Sequence, residues 1–293
     1  MKIAITGSTG FIGSSVTRCA IDRGHRVTRI VRPGTPAGRS SDAVIDLDDA
    51  DGLTEIAAAV DAVIHCAASD DPAFLPLLRR STDAFLKGLP PGGRFAMQGG
   101  SAVFGDTGPD AMRSPVFNPP APLEPRASFE RGVLQFGRSD IYTRIVYGSF
   151  VFGGRGAAIP STLIAAAIET GSALYFGKGQ QIWSTVHVDD LGKLLVDAVE
   201  NRTVPNTELF AAAQPIEIKA VAETIGEVLG CSARSLNTDE EAAQFGPFAA
   251  VLTVHQHFSS LVARRKFRWN PEISDNATSI FRSLVQQASR ASL

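Results

Sequence analysis

The chain has little cysteine, few tyrosines and tryptophans, and no excess of either charge. Three cysteines, Cys19, Cys66 and Cys231, stand far apart in 293 residues. They form no Cys-x-x-Cys pair, so neither a disulfide framework nor a zinc site is signalled, and a reducing cytoplasm is the default compartment. The 28 lysines and arginines are matched by 30 acids, for a formal net charge of -2. No basic face for nucleic acid or for an acidic membrane surface is expected from that balance. No run approaches the roughly 18 apolar residues of a membrane span. The apolar start, Ile3 to Ile5, is broken at once by Thr6 and Gly7, which does not read as a signal peptide. Hydrophobic residues make up 44% and charged residues 20% of the chain, enough for a sizeable core.

What is present is an alternation of short apolar runs with helical stretches. Lys2 to Thr6 reads as a strand, Phe11 to Asp22 as a helix, and Arg26 to Val31 as a second strand stopped by Pro33-Gly34. Ala43 to Ile45, Ala62 to His65, Gly93 to Met97 and Ile141 to Val146 read as further strands, and Leu53 to Ala59 as a helix. Apolar strands alternating with helices predict an α/β fold, a doubly wound parallel Rossmann sheet. Between 105 and 126 six prolines crowd the chain, which predicts a long irregular loop of the kind that usually serves function. Helices are expected over Arg126 to Phe136, Pro160 to Glu169 and Ile218 to Leu229, and a strand running into a helix over Trp183 to Leu195. Gln286 to Leu293 reads as a frayed helix end. The expected division is a Rossmann domain over 1–155, completed by about 183–204, and a smaller α/β substrate lobe from 156–182 and 205–293.

The first strand and helix are joined by Gly7-Ser8-Thr9-Gly10-Phe11-Ile12-Gly13. In a strand–loop–helix context such glycines allow a tight turn, close approach of backbone to a pyrophosphate, and close helix–strand packing. The helix N-terminus supplies free N–H groups for the phosphates. A nicotinamide dinucleotide is therefore expected. An NAD site places an acid about 20 residues on, for the ribose 2′-OH. No acid lies between Asp22 and Asp42, while Arg29 and Arg32 occupy the second strand and its end. A guanidinium suits a 2′-phosphate, so NADP is favoured, with NAD the alternative.

From these residues on, the chain resembles the extended short-chain dehydrogenase/reductase family of sugar-nucleotide epimerases, dehydratases and reductases. Thr6 to Gly13 matches the family's cofactor loop, and Asp46-Leu47 its adenine-contacting pair. His65-Cys66-Ala67-Ala68 is similar to its turn past the cofactor ribose. Val103-Phe104-Gly105, Arg144 with Val151-Phe152-Gly153, and Val186-His187-Val188-Asp189-Asp190 resemble later family segments. The resemblance implies cofactor contacts from Gly7 to Gly13, Asp46, Leu47, Cys66, Ala67, Ala68 and Gly99 as well as Arg32. It also implies a small carbonyl compound or a nucleotide sugar as substrate, and family members often pair as homodimers through a four-helix contact.

The family's chemistry rests on Tyr-x-x-x-Lys, and this chain has no such pair. Four residues after Tyr142, Tyr147 and Tyr175 stand Val146, Val151 and Gly179. One alignment puts Phe129 and Val133 at the two positions; another, anchored on Glu130 and preferred, puts Pro122 and Arg126 there. Ser101 sits one residue late for the family serine. Ser101, Tyr147 and Arg126 remain as catalytic candidates, with Arg126 also a candidate for the ribose. His187 reads as a structural histidine near a helix capped by Asp189 or Asp190, and His65 as structural. His255-x-His257 puts two rings on one face with no third metal ligand in view. A lobe lining of Phe104, Phe150, Phe152, Phe176, Trp183, Phe245 and Phe248 is expected, with Arg155, Lys178, Arg264 and Arg265 as scattered cations. Two functions stand open: an NAD(P)-dependent oxidoreductase or epimerase-like enzyme with non-standard proton donors, and a catalytically inactive NADP-binding, redox-responsive interaction protein.

Overall fold

The structure is a computed structural model, and it describes residues 1–35, 42–69, 71, 73–136, 140–153, 158–236, 251–273, 279 and 281–286. The expected Arg155, Phe245 and Phe248, and the 287–293 end, lie outside the described residues.

Strands β1 (Lys2–Thr6), β2 (Arg26–Val31), β3 (Asp42–Val44), β4 (Ala62–His65), β5 (Arg94–Gly100), β6 (Tyr142–Gly148) and β10 (Thr207–Ala211) form one sheet in the order β10-β6-β5-β4-β1-β2-β3. Every pairing in it is parallel. The reason is in the side chains. Ile3, Ile5, Ala62, Ile64, Ala96 and Val146 point to one face and pack on α1 (Phe11–Asp22) and α6 (Val188–Glu200). Ala4, Val63, Phe95, Met97 and Ile145 point to the other, against α2 (Ala50–Ala58), α3 (Phe74–Gly88) and α4 (Glu124–Leu134). A strand buried on both faces needs apolar residues at every position and a crossover helix on either side.

β7 (Phe150–Phe152), β9 (Ile182–His187) and β11 (Gln214–Glu217) make a second, three-stranded sheet; β8 (Ser172–Phe176) and β12 (Ser232–Leu236) pair in parallel. These pack with α5 (Ala158–Thr170) and α7 (Ile218–Leu229) around a separate core that includes Phe150, Phe152, Phe176 and Trp183. The aromatics expected to line a lobe cavity are thus mostly its packing. Phe104 sits instead in the core of the large sheet, edge-on to Tyr147, Phe210 and Phe258. Thr207–Ala211 pairs with β6 at the sheet edge, and α8 (Leu261–Phe267) joins the packing of that sheet through Ala263 and Phe267.

The proline-rich stretch is irregular from 105 to 120 and is strapped to residues 255–259. Thr107 N–H donates to His255 O, Met112 N–H to His257 O, and Ser259 N–H to Met112 O, at 2.9–3.1 Å. The buried Gln256 amide donates to Gly105 O at 2.6 Å. Both histidines of the His-x-His pair serve this strap: His255 Nδ1 accepts from Ile182 N–H, and His257 Nδ1 lies 2.7 Å from Pro109 O. Among the described residues no group of three potential ligands gathers for a metal ion, and no helix is long and apolar enough to cross a membrane.

Candidate functional site

β1 ends in the sheet centre with β4 on one side and β2 on the other. That is where chain direction reverses around the sheet, and where a crevice opens beyond the strand ends in this architecture. A cleft of about 410 Å³ lies there, between the glycine loop, the end of β2, Ile45-Leu47 and Cys66 to Ser69.

The loop's shape depends on glycine at two positions above all. Gly7 has φ +62, and a Cβ on it would stand 2.6 Å from Cys66 O. A Cβ on Gly13 would stand 2.1 Å from Gly7 O, so the first turn of α1 lies directly against the loop backbone. Gly10 closes the turn, its N–H donating to Gly7 O at 2.9 Å, and caps α1 with an extended backbone. Thr9 and Gly10 face the cleft, Ser8 is buried with no partner for its Oγ, and Phe11 and Ile12 start the helix. The loop is fixed to β4 through Thr6, whose Oγ1 accepts from Ala67 N–H at 3.2 Å and contacts His65 Nδ1. His65 is fully buried against Phe85, and burial, with the Arg126 charge adding, holds its pKa at about 3. It is a neutral strut.

The cleft has an apolar end formed by Ile30, Ile45, Leu47 and Phe74, and Arg32 is the charged side chain among its described lining residues. Asp46 is exposed, its Oδ1 accepting from Asp48 N–H at 3.0 Å. Arg29, the other expected cation, is not available to a ligand. Its Nε donates to Asp42 at 2.7 Å, with a second bond from Nη2. Asp42 is nearly inaccessible in that pair, so the first acid after Asp22 is also committed. Cys66 and Ala68 line the cleft, and burial pushes the Cys66 thiol up to about 12.

The catalytic candidates fall beyond the cleft, around the ends of β5 and β6. Ser101 opens a short 3-10 turn after β5. Gly99 does not face the cleft; a Cβ there would meet the Tyr147 ring at 2.3 Å. Tyr147 is buried, and burial and the Glu130 carboxylate beside its hydroxyl raise its pKa well above the ordinary phenol value. It stands as a neutral wall residue in this arrangement. Arg126, in the first turn of α4, pairs through Nε with Glu130 Oε1 at 2.5 Å. Pro122 lies in the turn before α4, while Phe129 and Val133 are buried in the core. Glu130, which sequence reasoning used only as an alignment anchor, is the residue it missed. A helical Arg-x-x-x-Glu spacing signalled the pair but not its burial. His187 itself caps α6, Nδ1 accepting from Asp189 N–H at 3.2 Å. Asp190 holds Glu272 N–H and Ile273 N–H instead of capping. Lys178 is exposed in a turn, and Arg264 stacks over Trp269 away from the cleft.

The model of the NAD dependent epimerase/dehydratase family matches residues 3–74. An uncharacterized protein of Schizosaccharomyces pombe is 28% identical over 291 residues, covering 96% of this chain and 98% of that one. The fold is shared with dTDP-glucose 4,6-dehydratase from Streptomyces venezuelae, solved with NAD, at TM-score 0.77 and 16% identity over 99% and 98% of the two chains. It is shared equally with UDP-glucose 4-epimerase from Thermotoga maritima, solved with UDP-glucose, at TM-score 0.75 and 17% identity over 100% of both. The chain thus resembles the extended short-chain dehydrogenase/reductase family, in sequence at its NAD dependent epimerase/dehydratase segment and in fold throughout.

Proposed function

We propose that the chain binds a nicotinamide dinucleotide across the glycine loop, prefers NADP to NAD, and uses it as an oxidoreductase or epimerase-like enzyme of the reducing cytoplasm. The observation that carries this reading is the cleft itself. Backbone N–H groups at the start of α1 face one side, an apolar slot of Ile45 and Leu47 suits an adenine ring, and Arg32 stands at the edge with no partner for its guanidinium among the described residues. Asp42 is committed to Arg29, which removes the acid that an NAD ribose would need. The solved fold relatives that hold NAD or UDP-glucose support the same cofactor class and a small carbonyl compound or nucleotide sugar as substrate. With the dinucleotide bound, the chemistry it supplies is hydride transfer; this chain binds and orients it. Proton transfer then falls to a group other than a helix tyrosine. A second reading, an NADP-responsive binding protein without turnover, draws on the buried, neutral Tyr147.

The two are separated by following NADPH oxidation with aldehydes, ketones, enones and nucleotide sugars. Turnover with one of these classes is expected. Tight NADPH binding without turnover in any class would reject the enzyme in favour of the second reading.

A further inference from the structure

Glu130 is fully buried in a helix that packs on the sheet. Removing a carboxylate from water is costly unless its charge is met. Two donors meet it at Oε1: Arg126 Nε at 2.5 Å, one turn earlier on α4, and Gly100 N–H at 3.2 Å, at the end of β5. The carboxylate therefore ties helix to strand one residue before Ser101. The Tyr147 hydroxyl is the neighbouring buried polar group, and the Glu130 carboxylate helps to keep it protonated.

The consequence for Arg126 is directional. A guanidinium is a rigid planar fork, so pinning Nε fixes where the two terminal nitrogens point. Those nitrogens have no hydrogen-bond partner among the described residues; the guanidinium lies over the Phe129 ring at 5.9 Å, and the side chain is 21% exposed. The Arg126 charge acts on His65, at the end of β4, and on Tyr147, near the end of β6. Through Glu130 and Gly100 the guanidinium is placed beside the carboxyl end of β5, on the side of β1 away from β2.

We propose that Glu130 is a positioning residue for the cofactor: by holding Arg126 Nε and Gly100 N–H, it aims the free end of the Arg126 fork at oxygen atoms of the half of the dinucleotide that lies beyond the glycine loop. The proposal rests on the dinucleotide reading above. Glu130 touches no ligand and acts through Arg126. Its burial is what makes it effective, since an exposed pair would be worth little and would leave the fork free to swing.

The test is a double-mutant cycle on NADPH affinity, with Arg126→Ala, Glu130→Gln and both together, each variant also melted without ligand. Arg126→Ala is expected to weaken binding about tenfold and Glu130→Gln about fivefold. The double variant is expected to bind within twofold of Arg126→Ala, because the carboxylate has nothing left to aim. Independent, multiplied losses would overturn the proposal. So would a Glu130→Gln protein that melts lower but binds NADPH as the parent does, which is what a purely structural carboxylate predicts. If Glu130→Gln does not fold, Glu130→Asp, which keeps the charge and shortens the reach, takes its place in the cycle under the same criteria. A parent chain that binds no dinucleotide would overturn the cofactor reading itself; a parent that binds, with an additive cycle, overturns only the role of Glu130.

Discussion

Replacing Gly10 by alanine separates binding from folding in the glycine loop. Gly10 has φ -79 and ψ 176, an extended backbone that any residue adopts. A Cβ there would meet only Gly7 O, at 3.2 Å, so a shift of a few tenths of an ångström accommodates it. Alanine is a poorer helix cap than glycine by up to about 1 kcal/mol, and the reduced freedom of the unfolded chain returns about 0.4–1 kcal/mol. The fold should therefore change by less than about 1 kcal/mol, or a Tm shift within about 4 °C. Binding should not survive as well. Gly10 lines the cleft, and the new methyl stands where a pyrophosphate must approach the loop. Displacing the phosphates from the N–H groups loses charge-assisted bonds worth about 1.5–3 kcal/mol, or roughly 10- to 100-fold in affinity. Gly13→Ala should behave in the opposite way. Its Cβ would lie 2.1 Å from Gly7 O and 2.6 Å from Gly7 C, both backbone atoms that no side-chain rotation moves aside. Overpacking of that kind costs about 1–3 kcal/mol, so the unliganded protein itself should melt several degrees lower. Thermal melts without ligand and calorimetric titration with NADPH read the two effects apart. A Gly10→Ala protein that binds NADPH like the parent would mean that no pyrophosphate seats on this loop, and a Gly13→Ala protein that melts like the parent would mean that α1 does not pack against it.

Two further outcomes follow from individual side chains. Arg32→Ala should weaken NADPH at least about tenfold while leaving NADH within about twofold, since only a 2′-phosphate needs the guanidinium; equal losses for both dinucleotides in paired titrations would remove Arg32 from that role. His65, held at about 3 by burial, stays neutral in the fold while the unfolded chain takes up its proton near pH 6.5. Its contribution is present above pH 6.5 and is lost as the pH falls, by about 1.4 kcal/mol per unit down to about pH 3. Urea unfolding of the parent and of His65→Asn at pH 7.5 and 5.5 should show a markedly flatter pH dependence in the variant; the same slope in both would place the acid sensitivity elsewhere.

The elements most plainly written in the sequence are those set by local pattern. β1, α1, β2, β4 and α7 span the residues that apolar runs and helical periodicity mark. The glycine loop was legible because each glycine answers a backbone requirement. Helix α3 was not marked: Pro76 stands near its start, where a proline is tolerated because that N–H has no helical partner, and Arg79, Arg80, Ser81 and Thr82 blur its apolar face. The Arg29–Asp42 pair was hidden because it depends on β2 meeting β3 in register, a long-range event. Glu130 was hidden for the same reason. Arg and Glu four apart on a helix read as a solvated surface pair, and only the packing of α4 against β5 and β6 puts the carboxylate inside. The aromatics of the lobe carry no local mark that separates a cavity wall from a core, and most are core.

Whether this chain binds a nicotinamide dinucleotide is decided by titrating the purified protein with NADPH and with NADH, followed by calorimetry. Saturable binding of one dinucleotide per chain is expected, tighter for NADPH, with a rise in Tm with ligand concentration. No heat and no Tm shift with either dinucleotide at millimolar concentration would contradict it.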